Sequence, residues 1–378
     1  MKRQLLGVAA ILLSISTYAQ DNPLWMRYCA ISPDGTTIAF TYKGDIYTVP
    51  STGGRASQIT TNPAHDTKPI WSPDGKKIAF ASDRMGSMDI FEVNKEGGIP
   101  KRLTTHSGNE TPVAYKDAGH ILFLANIMPT AEDAQFPSGQ FQQVYEVNTE
   151  GGRPILFSSM PMEDISINHT GNTLLYHDKK GYEDPWRKHH TSSITRDIWL
   201  CSLNGNRTFR KQTAFNGEDR TPVWASDDKS FYYLSEEKGS FNIFKRDIDG
   251  NTSKQITNHT KHPVRFLSAA SNGTLCYGYD GEIYTVKEGA IPQKVQISIV
   301  TDKNDKDLIR QIKRSGATEI SLSPDAKEIA FVLRGDVYVT STEYSTTKQI
   351  TNTPQQERDI HFSPDGRSIV YAAERNGL

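Results

Sequence analysis

The sequence predicts an all-β protein: a six-bladed β-propeller of four-stranded blades, followed by the first one to two blades of a second, truncated β-propeller. A recurring turn carries this prediction. The motif SPDG occurs at Ser32–Gly35, Ser72–Gly75 and Ser363–Gly366, and SPDA occurs at Ser323–Ala326. Each copy is followed two residues later by a short apolar run such as TIAF or KIAF. A turn followed by an apolar run is typical of a β-hairpin.

One copy shows the whole repeating unit. From Lys68 to His106 the segments KPIWSPDG, KKIAFASD, MDIFEVNKEGG and PKRLTTH indicate four strands joined by turns. These runs are apolar on both faces, as expected for sheets that are buried on both sides when blades stack. The Asp of each SPDG turn is a possible calcium ligand. One carboxylate per turn, a blade apart, builds no cluster, so we interpret it as a turn cap.

The repeats define the domain organisation. The turn positions of six units are Gly35, Gly75, Gly119, Gly171, Asp228 and Gly273. Units of about 40–45 residues with four strands are typical of propeller blades, and six of them can close a ring that leaves no exposed sheet edge. The pattern breaks at a charged segment and then restarts. We assign 21–300 to the six-bladed propeller, 301–316 to a linker and 317–378 to the second propeller, with extra blades of one ring as the alternative.

Residues 1–20 have the features of a cleaved signal peptide. Lys2 and Arg3 form a positive n-region, an apolar core runs to Leu13, and Ala19 is a small residue before the expected cut. The core is too short to cross a bilayer, and no other stretch has the length and apolarity of a membrane span. We therefore expect an exported, periplasmic protein with no membrane span.

Composition and motifs exclude several classes of function. A formal net charge of -1 offers no basic excess for nucleic acid. The three cysteines, Cys29, Cys201 and Cys276, are widely scattered, unlike a disulfide framework or a zinc cluster, so we interpret them as small buried residues. The sequence contains no G-x-S-x-G elbow, no H-E-x-x-H motif and no P-loop. We predict no catalytic residue, no metal and no cofactor in this chain.

One segment of the fourth unit, His177–Trp199, is longer than a hairpin requires. Its mixture of cationic and aromatic residues suits a peptide carboxylate or an acidic partner surface. The alternative is that it packs against a neighbouring domain or subunit. Adjacent histidines on a strand point to opposite faces, so the pair in this segment is a poor metal site. The candidate binding residues are Trp186, Arg187, His189, His190 and Arg196.

Two stretches resemble a known family. SPDAKEIAFVLRGDVYVTSTEYSTTKQITNT, continued by SPDGRSIVYAAERNG, and the insertion PWRKHHTSSITRDIW are similar to the tricorn protease family in its exported bacterial homologues. The resemblance implies the N-terminal part of a periplasmic serine peptidase that degrades peptides. The family adds a seven-bladed propeller, a PDZ-like domain and a peptidase core. The core would lie beyond Leu378, so no catalytic residue is carried over.

The resemblance also implies partners for the chain. These are peptide substrates, which the propeller would gate or channel, the protein's own C-terminal PDZ-like and peptidase domains, and further copies in a homo-oligomer, a hexamer in the archaeal type. The alternative function is a non-catalytic, TolB-like propeller that acts as a protein–protein interaction module in the cell envelope. TolB-like proteins usually place an α/β domain before the ring, whereas these blades begin soon after the signal, which favours the peptidase.

The closing residues indicate how the second propeller ends in this sequence. FSPDGRSIVYAAERNGL aligns with WSPDGKKIAFASDRMGS, which is Trp71–Ser87. The earlier copy goes on to a third and a fourth strand. We therefore expect the sequence to stop inside a blade, with two of its four strands present.

Overall fold

A computed structural model describes residues 23–127, 141–181, 192–300 and 313–373. These residues form strands and turns, and no helix occurs among them, which confirms the all-β prediction. No helix of the described residues is therefore long and apolar enough to cross a membrane. The chain falls into two compact units that divide after Val300.

The first unit contains, in its described residues, six four-stranded antiparallel sheets. The first sheet comprises β1 (Arg27–Ile31), β2 (Thr37–Tyr42), β3 (Asp45–Pro50) and β5 (Ser57–Gln58), with the short β4 (Gly54–Arg55) between the last two. The second comprises β6 (Asp66–Trp71), β7 (Lys77–Ser82), β8 (Asp89–Asn94) and β9 (Lys101–Arg102). The third comprises β10 (Thr111–Asp117), β11 (His120–Ala125), β12 (Gln143–Asn148) and β13 (Ile155–Ser158).

Three further sheets complete the unit. The fourth comprises β14 (Met162–Ile167), β15 (Thr173–Asp178), β16 (Ile198–Ser202) and β17 (Thr208–Lys211). The fifth comprises β18 (Asp219–Trp224), β19 (Ser230–Ser235), β20 (Asn242–Asp247) and β21 (Ser253–Gln255). The sixth comprises β22 (Arg265–Ala269), β23 (Leu275–Tyr279), β24 (Glu282–Val286) and β25 (Gln293–Lys294).

The six sheets are the blades of a closed ring. The first strands of successive blades, β1, β6, β10, β14, β18 and β22, contact one another in that order, and β22 contacts β1. The core lies between neighbouring blades: Phe40 and Tyr47 of the first blade pack in one cluster with Cys276 and Ile283 of the sixth. Each sheet is thus buried on both faces, which explains the continuous apolar runs. The predicted six-bladed propeller is confirmed.

In the strands that the structure describes, each blade is built from its own stretch of sequence, with no strand exchanged between the first and sixth blades. Instead β26 (Ile297–Ser298) leaves the sixth blade and pairs in parallel with β4 of the first. The amide of Gly54 donates to the carbonyl of Gln296 at 2.8 Å. At the other end of the junction, the Met26 amide donates to the Gly281 carbonyl at 3.1 Å.

The SPDG turns have the geometry that their residues predict. Ser32 Oγ donates to Asp34 Oδ1 at 2.6 Å, and the Thr36 amide donates to the same oxygen at 3.0 Å. The bond from Ser32, followed by that from Thr36, lowers the pKa of Asp34. Gly35 has a φ of 77°, which glycine adopts without the steric cost of a Cβ. The carboxylate therefore acts as a turn cap.

The second unit contains, among residues 313–373, one four-stranded sheet and one strand pair. The strands are β27 (Ala317–Leu322), β28 (Glu328–Leu333), β29 (Asp336–Ser341), β30 (Thr347–Gln349), β31 (Glu357–Phe362) and β32 (Ile369–Ala373). Its core is small, with Val332, Val337 and Ile360 among the buried residues. Ile320 and Val370 are largely exposed. Most of the predicted linker, residues 301–316, lies outside the described residues.

Candidate functional site

The first strand of each blade carries a bulge at the same place in the repeat. The register with the second strand shifts within β1, β6, β10, β14, β18 and β22. In five blades, a residue of the first strand has a positive φ. It lies four positions before the first residue of the turn, as Tyr28 does before Ser32. These residues are Tyr28 (52°), Lys68 (54°), Asp164 (49°), Thr221 (51°) and Phe266 (57°). Bulges re-aim side chains, and positive φ at such bulky residues is strained, a combination that concentrates at functional sites.

The bulges surround a central cavity of about 570 Å³. Every blade of the first unit contributes at least one residue of its first strand to the wall. Aromatic side chains form part of the cavity wall. The rings of Tyr28 and Phe266, at neighbouring bulges, lie 4.8 Å apart. The volume falls within the range of typical ligand pockets. The repeat therefore builds one site at the axis of the ring.

Cations outnumber acids in this wall. The cationic side chains among the described lining residues are those of Lys68, Lys179, Arg196, Arg220 and Arg265, and the acidic ones are those of Glu163 and Asp164. Both acids belong to β14, so the negative charge is confined to the fourth blade. The field inside the cavity favours an anionic or acceptor-rich ligand over a cationic one.

The negative charge of Glu163 is balanced by its neighbours. Its Oε1 accepts a hydrogen bond from Lys179 Nζ at 2.6 Å, and its Oε2 lies 3.3 Å from His177 Nε2 and 3.7 Å from Arg196 Nε. Burial on its own raises the pKa of Glu163, but the hydrogen bonds and charges of His177 and Lys179 outweigh burial and hold the pKa well below its usual range. This carboxylate is therefore ionised and adds little negative charge to the cavity.

Arg196 belongs to a second buried group. Its Nη1 donates to Glu218 Oε1 at 2.6 Å, and Nη1 of Arg220 lies 3.6 Å from the same oxygen. The Arg220 guanidinium also lies 4.1 Å from the ring centroid of Phe241. Burial lowers the pKa of Arg220, with the Glu218 charge opposing it. Two guanidinium groups thus contact the same carboxylate, and the charges of Asp164 and Glu236 also act on Arg220.

Lys68 has a different environment. Its Nζ lies 5.7 Å from the Tyr28 ring centroid, and within the described ranges it has no ion pair with an acid. Burial lowers the pKa of Lys68, with the charges of Asp164 and Glu163 opposing it. An ammonium group that is half-buried beside an aromatic ring and lacks a counter-ion is the cation most available to a ligand.

Sequence reasoning found one of these residues. Arg196 lies in the cavity wall, and the other candidates lie outside the described residues: Trp186, Arg187, His189 and His190. Lys68, Arg220 and Arg265 were missed. An alignment of the units on their turns would have pointed to the position of Lys68. The residue type at this position differs from blade to blade, whereas the turn that follows it recurs. Among the described residues, no cluster of three or more metal-ligating side chains occurs.

The fold and the cavity define a closed six-bladed propeller with a cation-rich central site. The family model described as the tricorn protease N-terminal beta propeller domain matches residues 23–290, and the chain belongs to this family, as its motifs predicted. Tricorn protease homolog 1 of Streptomyces coelicolor is 24% identical over 365 residues, which are 94% of this chain and 32% of that protein. The tricorn protease homolog of Saccharolobus solfataricus is 27% identical over 295 residues, which are 74% of this chain and 26% of that protein.

A solved structure has the same fold. The crystal structure of the tricorn protease matches with a TM-score of 0.63 at 19% sequence identity, over 90% of this chain and 33% of that chain. This similarity concerns the fold. The chain spans about a third or less of the length of these relatives.

Proposed function

We propose that this chain is the N-terminal propeller region of an exported, periplasmic tricorn-type serine peptidase that degrades peptides. The first propeller gates or channels the peptides through its central cavity. The observation that carries the proposal is the excess of cationic over acidic side chains lining the cavity, among them Lys68, which has no ion pair with an acid in the described part of the chain. Membership of the family and the names of the relatives support the reaction class.

The chemistry of a peptide fits such a wall. A peptide carries a terminal carboxylate and a row of carbonyl acceptors, both of which ammonium and guanidinium groups bind. The paired rings of Tyr28 and Phe266 offer apolar contact for its side chains. Because Glu163 is neutralised by His177 and Lys179, a passing carboxylate meets little repulsion there.

The second unit supports the proposal that the protein is longer and assembles. Ile320, Leu322 and Val370 expose apolar surface, which further blades of a second propeller would cover. We propose that this region docks the protein's own PDZ-like and peptidase domains and contributes to a homo-oligomer, a hexamer by family resemblance. The predicted contacts of Trp186, Arg187, His189 and His190 remain part of this proposal.

The test uses the full-length gene product. We expect serine-type hydrolysis of peptides, and none from residues 21–378 alone. Lys68→Glu should raise KM roughly tenfold for peptides with a free carboxyl terminus, with a smaller effect on kcat and on amidated peptides. Lys76→Glu, on an exposed turn of the same blade, is the matched control. A full-length protein without peptidase activity would refute the reaction, whereas equal behaviour of the two variants would refute only the role of the cavity.

A further inference from the structure

Two of the three cysteines meet where the first and sixth blades join. Cys29 lies in β1 and Cys276 lies in β23, and both are buried in the cluster that fills this junction. Both are free thiols in this structure, and the strands that carry them are in contact across the junction. The Cys29 Sγ also lies 3.4 Å from the carbonyl oxygen of Phe266. Scattered in the sequence, the two residues are neighbours in the ring.

The backbone holds this pair in place. The hydroxyl of Ser268 lies 3.5 Å from the carbonyl oxygen of Cys29 and 3.5 Å from that of Cys276. It also accepts a hydrogen bond from the Ile31 amide at 3.0 Å, and Ser268 is the strand partner of Cys276. One side chain therefore ties both cysteine-bearing strands together. A disulfide would require the two Sγ atoms to approach to about 2.05 Å, and the shared cluster and Ser268 hold the two strands close enough for this to be tested.

We propose that Cys29 and Cys276 form a disulfide that covalently closes the ring between the first and sixth blades. In the described residues, this junction is otherwise held by non-covalent contacts such as the pairing of β26 with β4 and the hydrogen bond from Met26 to Gly281. A cross-link between residues so far apart in the chain constrains the unfolded state over nearly the whole unit, and the gain in stability grows with the length of the closed loop.

The chemistry needs a disulfide donor as the oxidant. One cysteine thiolate attacks the donor's S–S bond, forms a mixed disulfide and releases one donor thiolate. The other cysteine thiolate attacks the mixed disulfide at the protein sulfur and releases the second donor thiolate. The protein loses two electrons and two protons, and the donor is reduced to two thiols. The disulfide proposal depends on the proposed export in one respect: an exported chain meets the disulfide donor that oxidises it.

Burial determines when the bond forms. Burial, together with the contact to Cys29, raises the pKa of Cys276 well above its ordinary value, so little thiolate is present once the ring has closed. Because the thiolate is the attacking species, oxidation is expected while the blades assemble and not afterwards. Cys201 serves as the internal control. It is buried in a separate cluster, where its Sγ lies 3.5 Å from the carbonyl of Ser202.

The experiment refolds residues 21–378 in a buffer of reduced and oxidised glutathione, then alkylates free thiols in denaturant. We expect one alkylated cysteine, Cys201, and a proteolytic fragment pair joined through Cys29 and Cys276. The bridged protein should melt about 5–10 °C higher than the reduced protein. Three alkylated cysteines, or a bridge that involves Cys201, would overturn the proposal.

Variants separate a bridge from mere packing. Cys29→Ser and Cys276→Ser should each remove the difference in melting temperature between oxidised and reduced protein, and Cys201→Ala should keep it. A difference that persists in Cys29→Ser would contradict the pairing. If a serine variant does not fold, the peptide map of the parent chain still decides. Protein that bridges in glutathione but is fully reduced when isolated from its own cells would support the pairing and refute the export.

Discussion

Arg196 Nη1 donates to Glu218 Oε1 at 2.6 Å, and both side chains are almost completely buried. Arg196 precedes β16 of the fourth blade and Glu218 precedes β18 of the fifth. The backbone joins the same two blades, since the Asp219 amide donates to the Arg196 carbonyl at 3.0 Å. The ion pair therefore connects neighbouring blades at the wall of the central cavity.

Replacing Arg196 with Ala should destabilise the first unit by roughly 3–5 kcal/mol, because the Glu218 carboxylate stays buried without its main partner. Urea unfolding measures this loss. The matched control is Arg210→Ala, whose Nη1 lies 2.8 Å from Asp249 Oδ1 but in an exposed pair, so it should cost less than about 1 kcal/mol. Equal losses for the two variants would contradict the argument that burial determines the cost.

Glu110 should make stability fall as the pH rises. It is fully buried, and its carboxylate oxygens have no hydrogen-bond partner among the described residues. Burial raises its pKa from 4.5 to about 7, with the charge of Asp89 adding to the shift and that of Arg102 opposing it. The pKa is higher in the folded than in the unfolded state, so the folded state binds more protons between pH 4.5 and 7. Stability is greatest below this window and is lost across it, by at most about 3 kcal/mol.

The measurement is the free energy of unfolding at several values from pH 5 to pH 8. Glu110→Gln removes the titrating group and should flatten the profile. Burial likewise raises the pKa of Asp219 to about 7, with the charges of Asp197 and Glu237 adding to the shift, so Asp219→Asn should remove a further part of the slope. A Glu110→Gln profile as steep as that of the parent chain would show that this carboxyl does not titrate in the window.

Gly53 should be sensitive to substitution because of the ring closure. The φ of Gly53 is 92°, and a Cβ on Gly53 would lie 2.7 Å from the carbonyl oxygen of Gln296, the residue before β26. Gly97 occupies the same turn in the second blade with the same φ, but its Cβ would lie 3.6 Å from the nearest heavy atom. Both Ala variants carry the cost of a positive φ, about 1 kcal/mol.

The difference in stability between Gly53→Ala and Gly97→Ala therefore measures the contact that closes the ring, apart from the cost of the positive φ. Gly53→Ala should lose roughly 1–3 kcal/mol more than Gly97→Ala, since backbone atoms must move apart. It should also speed amide exchange at Gly54 and Ala56, which donate to β26 residues or their neighbours. Equal losses in stability, with exchange at these amides unchanged, would mean that the pairing of β26 with β4 contributes nothing to the first unit.

The blades could be predicted from the sequence because their determinants are local. A turn such as Ser32–Gly35 fixes its own geometry through neighbours in the chain, and the run that follows it is apolar because blades cover both faces. The cavity could not be predicted in the same way. Its residues sit at one repeat position, as Lys68 and Thr221 do, but their chemistry differs from blade to blade. Contact of Cys29 with Cys276 depends on ring closure, which no local pattern encodes.

A recurring threonine is visible in the sequence, but the backbone amide that donates a hydrogen bond to it is not. The fourth segment of most units ends in a Thr whose Oγ1 accepts a hydrogen bond from the start of the third strand. The pairs are Thr60 with the Ile46 amide, Thr104 with Ile90, Thr213 with Ile198, Thr257 with Ile243 and Thr351 with Val337, at 2.8–3.0 Å. The segment PKRLTTH was predicted to hold a fourth strand, and in the structure β9 ends at Arg102, two residues before Thr104.

Thr104 allows the energy of this hydrogen bond to be measured. Thr104→Val keeps the shape but leaves the buried Ile90 amide without an acceptor, which should cost roughly 1–3 kcal/mol. Thr104→Ser keeps the hydroxyl and loses one methyl group, which should cost about 1 kcal/mol. Urea unfolding gives both values, and amide exchange at Ile90 should accelerate in Thr104→Val alone. If Thr104→Ser were the more damaging variant, the methyl group would matter more than the hydrogen bond, and the recurrence of Thr would reflect packing.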